Sequence, residues 1–144
     1  MKRIVSLALS ISAFAILGLV TAAQARAEGL HCSNATLKGT YSASITGTLG
    51  GAPFAELDLV TSTGNGTFSG TGTVSENGVI STDVPVSATY TVNSNCSGSA
   101  VLSSGVTQNF NISADGSEVD IIATTSGATI TAVAKRLNSS HNGQ

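Results

Sequence analysis

The sequence predicts an all-β fold: an antiparallel up-and-down meander of about eight strands closed into a small barrel. Three observations predict it. Apolar and polar residues alternate with period two along most of the chain after residue 39. The breaks between these runs are short and rich in Gly, Asn and Asp. No connection is long enough for a parallel crossover. A β-sandwich is the alternative closure of such a meander, but uniformly short connections favour the barrel.

The elements follow in order. "TYSASITGTLG" from Thr40 puts Tyr41, Ala43, Ile45 and Leu49 on one face, opposite Thr and Ser. "FAELDLV" puts Ala55, Leu57 and Leu59 on one parity and Glu56 and Asp58 on the other; the apolar parity is expected inside and the two carboxylates outside. "TFSGTGTV" aligns Phe68, Gly70, Gly72 and Val74, and "VPVSATYTV" aligns Val84, Val86, Ala88, Tyr90 and Val92. "VTQNFNI" aligns Val106, Phe110 and Ile112, with Gln108 as the exception. "SEVDIIA" sets Val119, Ile121 and Ala123 against Glu118 and Asp120. "ATITAVAKR" aligns Ala128, Ile130, Ala132 and Ala134; its end, "TAVAKRL", also reads as a helical turn. Gly50-Gly51, "GNG", "ENG", "NSNCSG", "ADG" and "SG" separate the strands and tolerate the positive φ of tight hairpins. Pro53 and Pro85 fall where a missing N–H is harmless.

Ahead of the strands lies an export signal. Lys2 and Arg3 precede an apolar run from Ile4 to Val20, followed by overlapping small-residue cleavage sites ending at Ala25 and Ala27. A membrane anchor is the competing reading; serines within the run and its small-residue exit favour cleavage. Cys32 follows "GLH" and lies far past the run, the wrong context for lipid attachment. The expected organisation is a signal peptide at 1–27, one barrel domain at 28–136 and a disordered polar tail at 137–144. The destination is secreted or periplasmic, in a bacterium, with no membrane span in the mature chain. An outer-membrane barrel would need aromatic girdles and an apolar exterior instead of Thr and Ser.

Charge narrows the partners. Cleavage leaves Lys38, Lys135 and Arg136 against all 8 acidic residues. Such a chain repels phosphate backbones, so nucleic acid is excluded as a partner.

The chain has 2 cysteines, Cys32 before the first strand and Cys96 in a hairpin turn. An oxidising compartment and an even count pair them in a disulfide. Closing so long a loop contributes roughly 4 kcal/mol. A zinc site on Cys32, His31 and Cys96 is the alternative, short of ligands.

No catalytic set is visible. Leu37 to Arg136 contains no histidine, so a Ser-His-Asp triad would have to recruit His31 or His141. Outward carboxylate pairs are solubility devices; an acid/base role needs a cleft. "ADGSEVD" offers Asp115, Glu118 and Asp120 to calcium at a spacing no EF-hand uses. "GNGTFSGTG" lacks the P-loop lysine and its helix. Thr71/Thr73, Thr89/Thr91 and Thr129/Thr131 would bind ice or polysaccharide only on one flat plane. No cofactor is implied.

"CSNATLKGTY" at 32–41, "TYTVNSNCSG" at 89–98 and "FNISADGSEV" at 110–119 resemble a group of small secreted bacterial proteins of unknown function. Those carry a Cys before a first "GTY" strand and a second "GTYTVN…C-[ST]-G" hairpin. Ala88 stands where that pattern has Gly. The resemblance implies a compact barrel, similar by fold analogy to allene-oxide-cyclase or calycin barrels, and maps no active site.

Two functions are therefore expected. One is a binding module holding a small apolar ligand, or engaging an envelope partner, with Tyr41, Phe68, Tyr90 and Phe110 lining the barrel. The other is a filled structural or interaction protein of the envelope. A barrel enzyme is a third, and it would need an inward carboxylate near Tyr41 or Tyr90.

Overall fold

The computed structural model describes residues 30–137. The expected signal peptide at 1–27 lies outside the described residues, as does the expected tail beyond Leu137. A 3-10 helix at Asn34–Leu37 is followed by eight strands: β1 Gly39–Leu49, β2 Ala52–Ser62, β3 Thr67–Glu76, β4 Val79–Val92, β5 Ser97–Leu102, β6 Thr107–Ile112, β7 Glu118–Ala123 and β8 Ala128–Arg136. Every neighbouring pair is antiparallel, and β1 also pairs with β8, so the meander closes on itself. The barrel is the predicted one, and the last segment is a strand to Arg136 rather than a helical turn.

Alternation sets the inside of the barrel. Tyr41, Ala43 and Ile45 on β1, Val86, Ala88 and Tyr90 on β4, and Ile130, Ala132 and Ala134 on β8 are buried. Thr and Ser occupy most of the intervening outward positions, where β-branched Thr suits a solvated strand.

β2 departs from the faces its sequence predicts. Leu57 and Leu59 are 59% and 53% exposed, and Ala55 is exposed too, whereas Asp58 is only 8% exposed. The expected faces of this strand are exchanged. The β1–β2 turn fixes this: its two residues Gly50 and Gly51 make Leu49 the partner of Ala52, and directly opposed residues share a face. Tyr41 therefore pairs with Val60, Ala43 with Asp58, and Ile45 with Glu56, all pointing inward. A shift of one residue would turn the whole strand over, and the ladder forbids it.

The barrel wall is uneven in height. β1 and β2 have 11 residues each and β4 has 14, whereas β5, β6 and β7 have 6 each. β4 pairs with β5 only from Ala88 onward, so Val79–Ser87 stands above the shorter wall. The β3–β4 ladder shifts register between Gly72 and Val74, across from Asp83 at φ 55°. This bulge lies at the rim, where bulges bend strands and open edges.

One end is closed. The 3-10 helix lies across it with Leu37 buried. The helix was missed in the sequence because four residues carry no period; the local signal is Ser33-x-x-Thr36, where the Ser33 N–H donates to Thr36 Oγ1 at 3.0 Å. Cys32 and Cys96 are disulfide-bonded, with Cα atoms 5.0 Å apart. Cys96 lies at φ 65° in the β4–β5 turn and is only 3% exposed.

Candidate functional site

Opposite the closed end, the interior is open. A cavity of about 500 Å³ runs down the barrel from a mouth where exposed Pro85, Ser103 and Ser104 contribute to the wall. Its lining is mainly apolar and draws on every strand. Small inward side chains, such as Ala43, Ala100, Ala132 and Ala134, leave this space unfilled where an eight-stranded barrel is otherwise about full.

Tyr41, Phe68, Tyr90 and Phe110 all reach the cavity wall. Phe68 and Tyr90 stack with ring centroids 6.4 Å apart. The tyrosine hydroxyls are engaged at the closed end. Tyr90 Oη lies 2.7 Å from Ser62 Oγ and donates to the Asn34 carbonyl at 3.2 Å. Tyr41 donates to the Gly116 carbonyl at 2.8 Å and accepts from the Arg136 guanidinium at 3.0 and 3.1 Å. Arg136 also donates to the Thr36 carbonyl at 2.6 Å, and its guanidinium carbon is 5.6 Å from the Tyr41 ring centre. Burial raises the Tyr41 hydroxyl above its ordinary pKa, outweighing the Arg136 charge, so it stays a donor. Both tyrosines line the cavity at its closed end.

The inward face of β2 descends from mouth to floor as Phe54, Glu56, Asp58, Val60 and Ser62, all on the cavity wall. Two carboxyl groups thus stand inside an apolar barrel. Their cross-strand neighbours are Ala43 and Gly72 for Asp58, and Ile45 and Val74 for Glu56. None of these side chains donates a hydrogen bond, and Asp58 Oδ1 is left without a partner. Burial pushes Asp58 from 3.8 up to about 7, and the Glu56 charge adds to the shift. Burial raises Glu56 as well, partly offset by the neighbouring Asp58 carboxyl. Two carboxyls this close hold one proton between them before both ionise.

Gly72 makes room for the pair. A Cβ there would overlap Asp58 Oδ1 and come 3.3 Å from Glu56 Oε1. The two carboxyl oxygens therefore converge over the glycine.

Other sequence candidates do not assemble. The disulfide removes both thiolates from the zinc alternative. Asp115 caps its own turn, accepting from the Ser117 N–H at 3.0 Å and from the Ser117 and Ser113 hydroxyls at 2.8 Å. Glu118 meets Lys135 on the outside at 3.3 Å. Among the described residues no group of three His, Cys, Asp or Glu is placed to hold a metal ion. Thr129 and Thr131 on β8 are separated from the β3 and β4 threonines by β1 and β2, so the rows share no plane. His31 is exposed, and His141 lies outside the described residues.

The fold and site define a closed, mouth-bearing β-barrel with an internal acid pair. Comparison with protein-family models, curated proteins and solved structures finds no match for the chain. Among the described residues no helix is long and apolar enough to cross a membrane.

Proposed function

We propose that this protein is an exported binding barrel that takes one small, largely apolar molecule into its cavity through the open end. The observation that carries this reading is the cavity of about 500 Å³ with its mainly apolar wall. That size lies inside the range of roughly 300–1,000 Å³ found for small-molecule sites. Unfilled interior volume supports a ligand carrier over a filled structural barrel. The aromatic faces of Phe68, Tyr90 and Phe110 supply the contact surface for the ligand body. The leader pattern at 1–27 and the Cys32–Cys96 bond support an oxidising destination, secreted or periplasmic.

The test is titration with the apolar fluorophore N-phenylnaphthylamine, whose emission rises when it leaves water. The barrel should bind one probe per chain. Ala132→Phe and Ala100→Phe, which project into the cavity, should each weaken binding about tenfold or more, equivalent to about 1.4 kcal/mol. Unchanged affinity in both variants, each folded by circular dichroism, would place the probe on the exterior and end this reading.

A further inference from the structure

An apolar ligand body leaves one part of the cavity unexplained. Asp58 is about nine-tenths buried and lines the cavity, and its Oδ1, packed over Gly72, has no hydrogen-bond partner. Glu56 Oε1 converges on the same space over Gly72. No cation reaches this pair among the described residues. Lys38 is exposed, Lys135 meets Glu118 on the outer wall, and Arg136 is held at the closed end by Tyr41 and Thr36. The other titratable groups on the cavity wall are Tyr41 from β1 and Tyr90 from β4, both with hydroxyls bonded at the floor. β3, β5, β6, β7 and β8 contribute none.

A negatively charged acceptor pair in an apolar cavity, with no counter-ion of its own, is complementary to a cationic donor. An ammonium group has three N–H donors and no acceptor, so it satisfies Asp58 Oδ1 and Glu56 Oε1 together. A neutral hydroxyl supplies one donor and no charge, and a carboxylate is repelled. We propose that Glu56 and Asp58 form the recognition site for the protonated amine of an amphiphilic ligand, whose apolar body lies along the remaining cavity. This assignment rests on the binding-barrel reading above and names its ligand class.

The acid pair makes recognition depend on pH. The aliphatic amine stays protonated up to roughly pH 10. The pair loses its last proton as pH rises through about 7, where burial and the Glu56 charge hold Asp58. Amine affinity should therefore climb between about pH 5 and about pH 8, whereas affinity for a neutral analogue should not.

The experiment is displacement of N-phenylnaphthylamine by decylamine, decanol and decanoate, with the disulfide intact, at both pH values. It is run on the native sequence, Asp58→Asn and Glu56→Gln. The expected result at the higher pH is decylamine bound about tenfold tighter than decanol, with decanoate weakest. That preference should shrink at the lower pH and disappear in Asp58→Asn, while decanol affinity stays the same. Equal affinity for decylamine and decanol at the higher pH would overturn the amine assignment and leave the binding barrel standing, as would a preference that survives both substitutions. Failure of the fluorophore and all three chains to bind would remove the binding reading, and the amine assignment with it.

Discussion

At the closed end, the turn glycines Gly64, Gly66 and Gly116 lie against the 3-10 helix, with Ala35, Asn34 and Thr36 where a side chain would begin. At the open end, Gly50, Gly78, Gly105 and Gly127 have nothing within 4 Å of that position. The same eight strands thus end in two different ways. One end concentrates the disulfide, the Arg136–Tyr41 contact and the hydrogen bonds from Tyr90 and Val92 to Asn34. The other leaves short turns and an uneven rim around a cavity. Cross-links that hold the barrel shut at one end allow the opposite end to stay unfilled. The acid pair lies between them, anchored to neither.

The contrast can be broken most severely at the disulfide. It joins residues 64 apart in sequence. Replacing Cys32 and Cys96 by Ser together should cost roughly 4 kcal/mol, read as a lower midpoint in urea. Next comes a matched pair of glycines in the left-handed region, Gly116 at φ 70° and Gly78 at φ 82°. Alanine at either incurs a backbone cost of about 1 kcal/mol, so the difference between the two reports space alone. Gly116→Ala runs into the Thr36 carbonyl and the Arg136 guanidinium and should lose about 3 kcal/mol, whereas Gly78→Ala should lose only about 1. Equal losses would mean that the helix does not press on the closed end. Tyr90→Phe removes the hydroxyl between Ser62 and Asn34 and should cost about 1–2 kcal/mol with no change in probe stoichiometry.

The remaining contrast is in pH dependence, read as slopes and not as a single loss. Asp58 protonates at about 7 in the folded barrel and near 4 once unfolded. The folded state then binds more protons between those values, so stability falls as pH rises from about 4 to about 7. Glu56 is raised too and contributes in the same sense. Asp115 has the opposite sign: its hydrogen bonds, led by the Ser117 N–H, hold it at about 2. Its contribution is present above about pH 4 and is lost as pH falls towards 2. Thermal midpoints across pH should show both limbs. Asp58→Asn should flatten the upper limb and leave the acid limb in place.

Much of this architecture was legible, and what was missed has identifiable physical causes. Period-two alternation located the strands and set the inward faces of β1, β3, β4, β6, β7 and β8, because most of the large apolar residues of each share one parity, with Val79, Ile122 and Val133 as exposed exceptions. β2 does not. Phe54 and Val60 argue for one face and Leu57 and Leu59 for the other, so alternation alone could not choose. The Gly50-Gly51 turn could have chosen, since it ties Leu49 inside to Ala52 inside and brings Glu56 and Asp58 with it. The acid pair was hidden by treating a carboxylate as outward by default. The cavity had no local sequence signal: its volume is the collective result of strand number, tilt and many small side chains.

The central claim is that β2 places Asp58 inside the barrel. The direct measurement is a carbon-detected NMR titration of the Asp side-chain carboxyls. The account predicts that Asp58 titrates at about 7, and that its signal disappears in Asp58→Asn. A midpoint near the ordinary carboxylate value of about 4 would mean that Asp58 faces water. It would restore Leu57 and Leu59 to the interior and remove the acid pair from the cavity.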